Sequence, residues 1–465
     1  MNPLMIWLLG ACTPVTNKSD DTAADTASTS TACNMANYSG DTASNTGADS
    51  VTGLWPVAQV PAQCPTPEDA ALVVNTDGTG VIEFTQSYFV MQTIVPTFPV
   101  TFRSASGVTA TLLPGTKSAD DTKNVDPLID VGAQTVTIAD LDLNGLTYPG
   151  DTITNSAITV NGGDLTLTNV FVADVQSGVV ATSSNVILEN VRFRDAVESA
   201  ISLTSGTAEL SEVEVSQSGG VDGVSVISAT SDTDVTVSGG ITITDSLATG
   251  DQTPLIELST ASSIESLIVS DSESTSGPLA NLTVGTAGDY GSLTNSLFFD
   301  NTYGDDCAIN LTGKGNLSMD HVIVSDLDNP GSSDSLVCLS PDTDGSVVVE
   351  NSILQRNWSV TGSVLSGLSA EDYDQGAVRY NNFYDNEGED AGLLDPTNVS
   401  EDPNFSNTVN ADCKPYNFLL AIDSTLVDAG DPAERDNDGS QTDMGAFGGE
   451  GQANLETSIN WYCGL

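Results

Sequence analysis

At 465 residues, the chain carries 64 acidic side chains against 11 basic ones and a single His, for a formal net charge of −53. A surface that negative repels nucleic acid and anionic lipid headgroups, which excludes DNA, RNA and peripheral-membrane roles, and it collects cations that relieve its self-repulsion. Aliphatic and β-branched residues abound, Lys and Arg are scarce, and no amphipathic helix of any length is visible.

Residues 1–11 (MNPLMIWLLGA) are mostly apolar and end at Cys12. The run is shorter than the roughly 20 residues that span a bilayer and reads as a signal segment. Leu9, Gly10, Ala11 and Cys12 resemble a bacterial lipobox. That resemblance implies a lipoprotein whose Cys12 is diacylated and, after cleavage, becomes the new N-terminus. Each buried methylene adds about 0.8 kcal/mol, so several acyl chains make a stable anchor. Residues 12–53 are mainly Thr, Ser, Ala, Asp and Asn, too poor in apolar groups to pack, and predict a flexible tether. Between residues 54 and 85, Trp55, several prolines and Cys64 predict an N-terminal cap, because an open solenoid end exposes strand edges.

From about residue 135 to 385 one short phrase returns every 21 to 31 residues: an alternating β-run, a polar pivot, a second run, then Ser, Gly or Asp. Examples are LTLTNVFV at 165–172, VILENVRF at 186–193 and VVVENSIL at 347–354. The pivots are Asp140, Asn169, Asn190, Glu212, Gly240, Ser266, Asn295, Asp320, Asn351 and Asn381. A period of that size built of strands predicts an all-β solenoid, each repeat one coil stacked on the last. Val, Ile, Leu, Thr and Phe at alternate positions turn one face of each strand inward, and only neighbouring coils can complete that core. Recurrent Asn predicts an inward-turned ladder of side chains. The Asn-Gly and Asp-Gly hairpin signals of an antiparallel sandwich are scarce within the repeats. The architecture expected is a right-handed parallel β-helix of about a dozen coils over residues 54–390, about 55–60 Å long at roughly 4.8 Å per coil. Residues 391–465, with Trp461 and Cys463, are expected to close the far end.

With Cys12 lipidated, six cysteines remain: Cys33, Cys64, Cys307, Cys338, Cys413 and Cys463. They allow fifteen connectivities, and their grouping into near neighbours favours 33–64, 307–338 and 413–463. Cys307 and Cys338 stand about one coil apart, so a bridge would staple adjacent coils. Without Cys-x-x-Cys and with one His, a cysteine metal site is not expected, and disulfides point to an oxidising compartment.

The coil pattern, the opening PVTFRSASGVTATLLPG at 99–115, DPNFSN at 402–407 and STLVDAGDPAERDNDGSQTDMGAFGG at 424–449 resemble right-handed parallel β-helix proteins of the pectin-lyase-like superfamily. The last stretch is similar to the terminal motif of bacterial surface members. The resemblance spans roughly residues 72–450 and implies an envelope-anchored, secreted protein at the outer membrane or cell surface.

Three constellations bear on chemistry. YGDDCAINLTGKGNL at 303–317 resembles the Gly-Asp-Asp-Cys stretch of polygalacturonases, which implies general acid and base roles for Asp305 and Asp306. The family's upstream Asn-Thr-Asp, its Gly-His-Gly and its Arg-Ile-Lys are missing, and His321 lies in MDHVIV, where it reads as structural or exposed. Arg192 and Arg194 are the densest basic pair, as a lyase would need, but alternation puts both on one outward face. Asp436, Asp438 and Asp443 in DNDGSQTD, with Gly439 and Ser440, resemble an Asp-x-Asp-Gly calcium loop without the distal Glu of an EF-hand. Tyr380, Phe383 and Tyr384 read as core and stacking residues. The function expected is a noncatalytic, structural or adhesive surface lipoprotein, joined to a membrane through Cys12, with a glycan or protein ligand and calcium as the only candidate ion. The alternative is a glycoside hydrolase or lyase of the same superfamily.

Overall fold

The computed structural model describes Cys33, residues 57–74 and most of 77–463. Left undescribed within that span are 78, 116–124, 146–155, 221–222, 231, 262, 286–289, 305–306, 314, 331–334, 342–344, 359, 369–376, 388–394, 407–412 and 450. The signal segment, Cys12, nearly all of the tether, and Asp305 and Asp306 lie outside the described residues.

The strands stack in parallel along three lateral faces. On the first, Val57–Val60 pairs with Val81–Phe84, which pairs with Val100–Ser104, and the ladder continues to Val347–Glu350 and Val378–Arg379. The second face runs from Tyr88–Val90 through Ala110–Pro114 and Leu141–Asn144 to Asn382–Tyr384. The third runs from Ile129–Asp130 through Ile158–Asn161 to Leu365–Ser366. The pairing is so continuous that Asp164–Ser216 forms one unbroken 53-residue strand bending round the corners. This is a parallel β-solenoid of about ten turns.

From Asp140 onward, each corner between the first and second faces is a single residue in the left-handed region. Asp140, Asn169, Asn190, Glu212, Ser266, Asn295, His321, Asn351 and Tyr380 have φ between 46 and 61°, and Gly240 has φ 89°. Asn and Asp tolerate that conformation because their short polar side chains bond locally, which is why they recur. Two pivots sit one residue from their expected places, His321 for Asp320 and Tyr380 for Asn381. Asp320 is the last outward residue of the first-face ladder, opposite Glu350, and Asn381 is the first inward one after the turn. A second left-handed column (Asp174, Asp195, Gln217, Asp245, Asp271, Asp300, Asp326, Arg356, Asp385) closes the second-face strands from the coil of Asp174 onward.

The pivot ladder is not inward where it is clearest. Asn190 Nδ2 donates to Asn169 Oδ1 (2.6 Å) and Asn169 Nδ2 to Asp140 Oδ1 (3.0 Å), both on the solvent side. The inward ladder is formed one residue later, where the chain has turned back to the core. Ser296 Oγ accepts from Leu267 N–H, Ser352 Oγ from Val322 N–H, and Asn381 Oδ1 from Ser352 N–H. These side chains satisfy backbone donors that the corner removes from the sheet.

The core is the continuous apolar interior, with Phe84, Phe102, Phe193, Phe298 and Phe383 at most 1% exposed. At the N-terminal end, Thr66 caps the short helix Pro67–Ala71, and Ala70 and Val74 are fully buried over the first coil. Disulfides join Cys33–Cys64, Cys307–Cys338 and Cys413–Cys463, with Cα separations of 4.3, 5.9 and 5.4 Å. The neighbour pairing holds throughout, and the second bridge staples adjacent coils.

The C-terminal region does more than close the far end. Val399 extends the stack by one bridge to Asn382, and the chain then doubles back along the outside of the second face. The helix Gln452–Tyr462 reaches as far as Gly239, whose carbonyl accepts from Ser458 Oγ. The cause is the outward side of that face. Ile268, Leu297, Phe299, Ile323 and Ile353 point away from the solenoid core and are buried under Phe418, Leu426, Met444, Phe447, Leu455 and Ile459. Strands here are buried on both sides, as in Leu267–Ser270, whereas Val100–Ser104 alternates.

Candidate functional site

The polar residues gathered most tightly lie where this strap crosses the pivot column. Three successive pivots receive it. Asn295 Nδ2 donates to the carbonyls of Ala446 and Gly448, both at 2.9 Å. Asn351, fully buried, donates from Nδ2 to Asp320 Oδ1 and Glu434 Oε2, both at 2.9 Å, and accepts from Asp431 N–H at 2.7 Å. Between them stands His321, 2% exposed. Gly448 passes so close that a Cβ there would fall 2.7 Å from the imidazole, and one on Gly445 would fall 2.8 Å from Ile353. The glycines of DMGAFGG are therefore the condition of close docking.

His321 Nδ1 lies 2.8 Å from Asp320 Oδ1, and Nε2 lies 2.8 Å from Thr442 Oγ1. The Thr442 hydroxyl donates its single proton to Asp436 Oδ1 at 3.0 Å, so Nε2 must be the donor to Thr442. A bare lone pair on Nδ1 would face a carboxylate, so that position demands a proton or another cation. Burial pushes the His321 pKa down, but the hydrogen bond and charge of Asp320, with Glu434 and Asp436 beyond, outweigh it and hold the pKa above the usual value. Glu434 is pushed up to about 7 by burial and by Asp320, partly offset by His321, with Glu350 and Asp431 adding to the rise. Burial likewise raises Glu350, against the opposing pull of Arg379. Among the described residues, three metal-ligating groups come within 4.8 Å of one another only at Asp320, His321 and Glu434. A cleft of about 610 Å³, lined also by Glu265, Asn295 and Arg435, opens beside them.

The three residues expected to bind calcium each have hydrogen-bond partners of their own. Asp436 turns inward and accepts from Thr442 Oγ1, Asp443 N–H and Gly449 N–H at 2.7 to 3.1 Å. Asp438 is exposed and accepts from the Ser440 N–H and hydroxyl, which lower its pKa. Asp443 accepts from Asp428 N–H, and burial raises its pKa despite that bond. Asp436 is thus the hub of the strap's terminal loop. Asp436→Ala is expected to cost about 2–3 kcal/mol, because several charge-assisted bonds go with it. Asp438→Ala should leave melting unchanged. Thermal melts of both variants in calcium and in EDTA check this. A loss of the Asp436→Ala effect in EDTA would instead support the calcium loop.

Arg192 and Arg194 share the outward face, paired with Glu214 (3.3 Å) and Asp195 (3.2 Å), and Arg194 stacks 5.2 Å from the Phe171 ring. Phe383 is buried core, while Tyr380 packs against the strap. A second cleft, of about 450 Å³, lies where the strap meets the second left-handed column, among Phe299, Asp300, Asp326, Arg356, Asp402 and Lys414. Lys414 bridges Asp271 and Asp300 there.

Fold and site together define a parallel β-solenoid locked along one side by its own C-terminal strap. No protein-family model and no curated protein matches the chain.

Proposed function

We propose that this chain is a noncatalytic, surface-exposed solenoid of the bacterial cell envelope, structural or adhesive, anchored through lipidated Cys12 and held off the membrane by residues 12–53. The observation that carries this reading is the use made of the reactive side chains. His321, Asp320, Glu434 and Asp436 are spent on clamping the strap, and Arg192 and Arg194 are spent on surface ion pairs. The acidic exterior and three disulfides suit an oxidising, cation-rich exterior at the outer membrane. A glycan or protein ligand has a place in the 450 Å³ cleft beside Lys414 and Arg356, where cations and carboxylates alternate over buried phenylalanines.

The test is made in cells expressing the full chain. Labelled fatty acid should be incorporated by the native protein and lost in Cys12→Ser, which should shift from the membrane to the soluble fraction. Protease added to intact cells should trim the native protein. Label retained by the variant, or protection from protease, overturns the anchoring. The enzymatic alternative, which resemblance places at Asp305 and Asp306, predicts new reducing ends or unsaturated products from polyuronates, abolished by Asp305→Asn.

A further inference from the structure

We propose that Asp320, the Nδ1 atom of His321 and Glu434 bind one divalent transition cation of the zinc class, which staples the strap to the solenoid. Three independent features of the geometry converge on it. First, the three groups lie within 4.8 Å of one another yet come from segments more than a hundred residues apart, with the 610 Å³ cleft supplying an entry path and room for water ligands.

Second, the surroundings of each ligand are already fixed. Nε2–H is committed to Thr442, itself fully buried and oriented by Asp436, which leaves Nδ1 as the ligating atom. The Asn351 amide donates to both carboxylates at once and holds them side by side. Metal-binding imidazoles and carboxylates are oriented by such partners. Third, the local charge is unbalanced. Asp320, Glu434, Glu350 and Asp431 crowd one region, while Arg379 pairs, among the described residues, with Glu350 (2.9 Å) and Asp431 (3.4 Å). The Arg435 guanidinium is turned to the carbonyls of Pro432 and Glu434. One proton on His321 offsets less of this than a divalent ion would. One imidazole and two carboxylates favour zinc over calcium, which prefers six to eight oxygens.

The experiment titrates zinc, calcium and magnesium into the EDTA-stripped full chain, reading heat of binding and melting temperature. A cobalt-substituted sample is followed by its visible absorption. His321→Asn removes the ligand but keeps a residue that the same pivot accepts at Asn295 and Asn351, so the fold is preserved. Glu434→Gln keeps an oxygen for Asn351 and serves as the second variant. One zinc per chain should raise the melting temperature by about 3 °C or more near a hundredfold excess over Kd. Zinc affinity should fall at least tenfold in both variants, and the cobalt band should vanish in His321→Asn. Equal responses to zinc and calcium, or undiminished zinc binding in both variants, would mean ions condensing on the acidic surface and would overturn the site. So would an unchanged melting temperature, which would leave His321 holding only a proton.

Discussion

Truncation after residue 412 is expected to make the chain aggregate. The deletion uncovers Ile268, Leu297, Phe299, Ile323 and Ile353, all at most 1% exposed beneath the strap. Burying each such side chain is worth about 1.5–3 kcal/mol, so the strip loses on the order of 10 kcal/mol of favourable burial. It is also a contiguous apolar patch, of the kind soluble proteins seldom leave open. The opposing force is the net charge, which keeps chains apart at low salt. At 0.15 M salt the screening length is about 8 Å, so repulsion fades before two strips meet. Light scattering after size exclusion should show oligomers that grow with salt, together with strong binding of a hydrophobic dye. The solenoid's own ladder should persist in far-ultraviolet circular dichroism, because its core does not depend on the strap. A monomeric, dye-silent truncated chain at 0.15 M salt would mean that the strap is not what covers this face.

That strap also marks where sequence reading succeeded and where it stopped. Strand alternation and most polar pivots were legible because both are local: a left-handed corner favours Asn, Asp or Gly, and the two pivots displaced by one residue are corners occupied instead by His321 and Tyr380. The cysteine pairs were legible because each joins neighbours in the sequence, and Cys307–Cys338 spans 31 residues, one long coil. The two-sided burial of the second face was written in SLFF, HVIV and NSIL, runs that break the alternation and so resemble strands covered on both faces. The destination of residues 413–463 was not legible, because the surface that attracts them is assembled from four coils. The same is true of the cluster of Asp320, His321 and Glu434. Nothing near His321 in the sequence announces Glu434, 113 positions on, and only the strap's path brings them together. The available hint was Asp320-His321 inside an apolar run, since buried charge requires a partner from somewhere.

The second large effect is expected at Asn351, where two costs can be separated. Asn351→Ala places alanine at φ 53°, a left-handed position that Asn tolerates through local bonds of its side chain and that costs alanine about 1–2 kcal/mol. The same price applies at Asn190, φ 54°, whose side-chain bond to Asn169 lies at the solvent side. Asn190→Ala should therefore cost about 1–2 kcal/mol. At Asn351 the alanine also strands the Asp431 N–H and removes the donor that Asp320 and Glu434 share. Two carboxylates then face one another with only His321 between them. Breaking a buried, charge-assisted network of this kind costs about 3–5 kcal/mol. The excess of Asn351→Ala over Asn190→Ala should thus be about 3 kcal/mol, and it should appear where the bonds were. Amide exchange should accelerate by about a hundredfold in residues 426–449 and hardly at all in the first-face strands of the same coils. Equal losses at the two pivots would reduce the clamp to backbone strain, and accelerated exchange spread evenly over the solenoid would show the strap to be part of one cooperative unit.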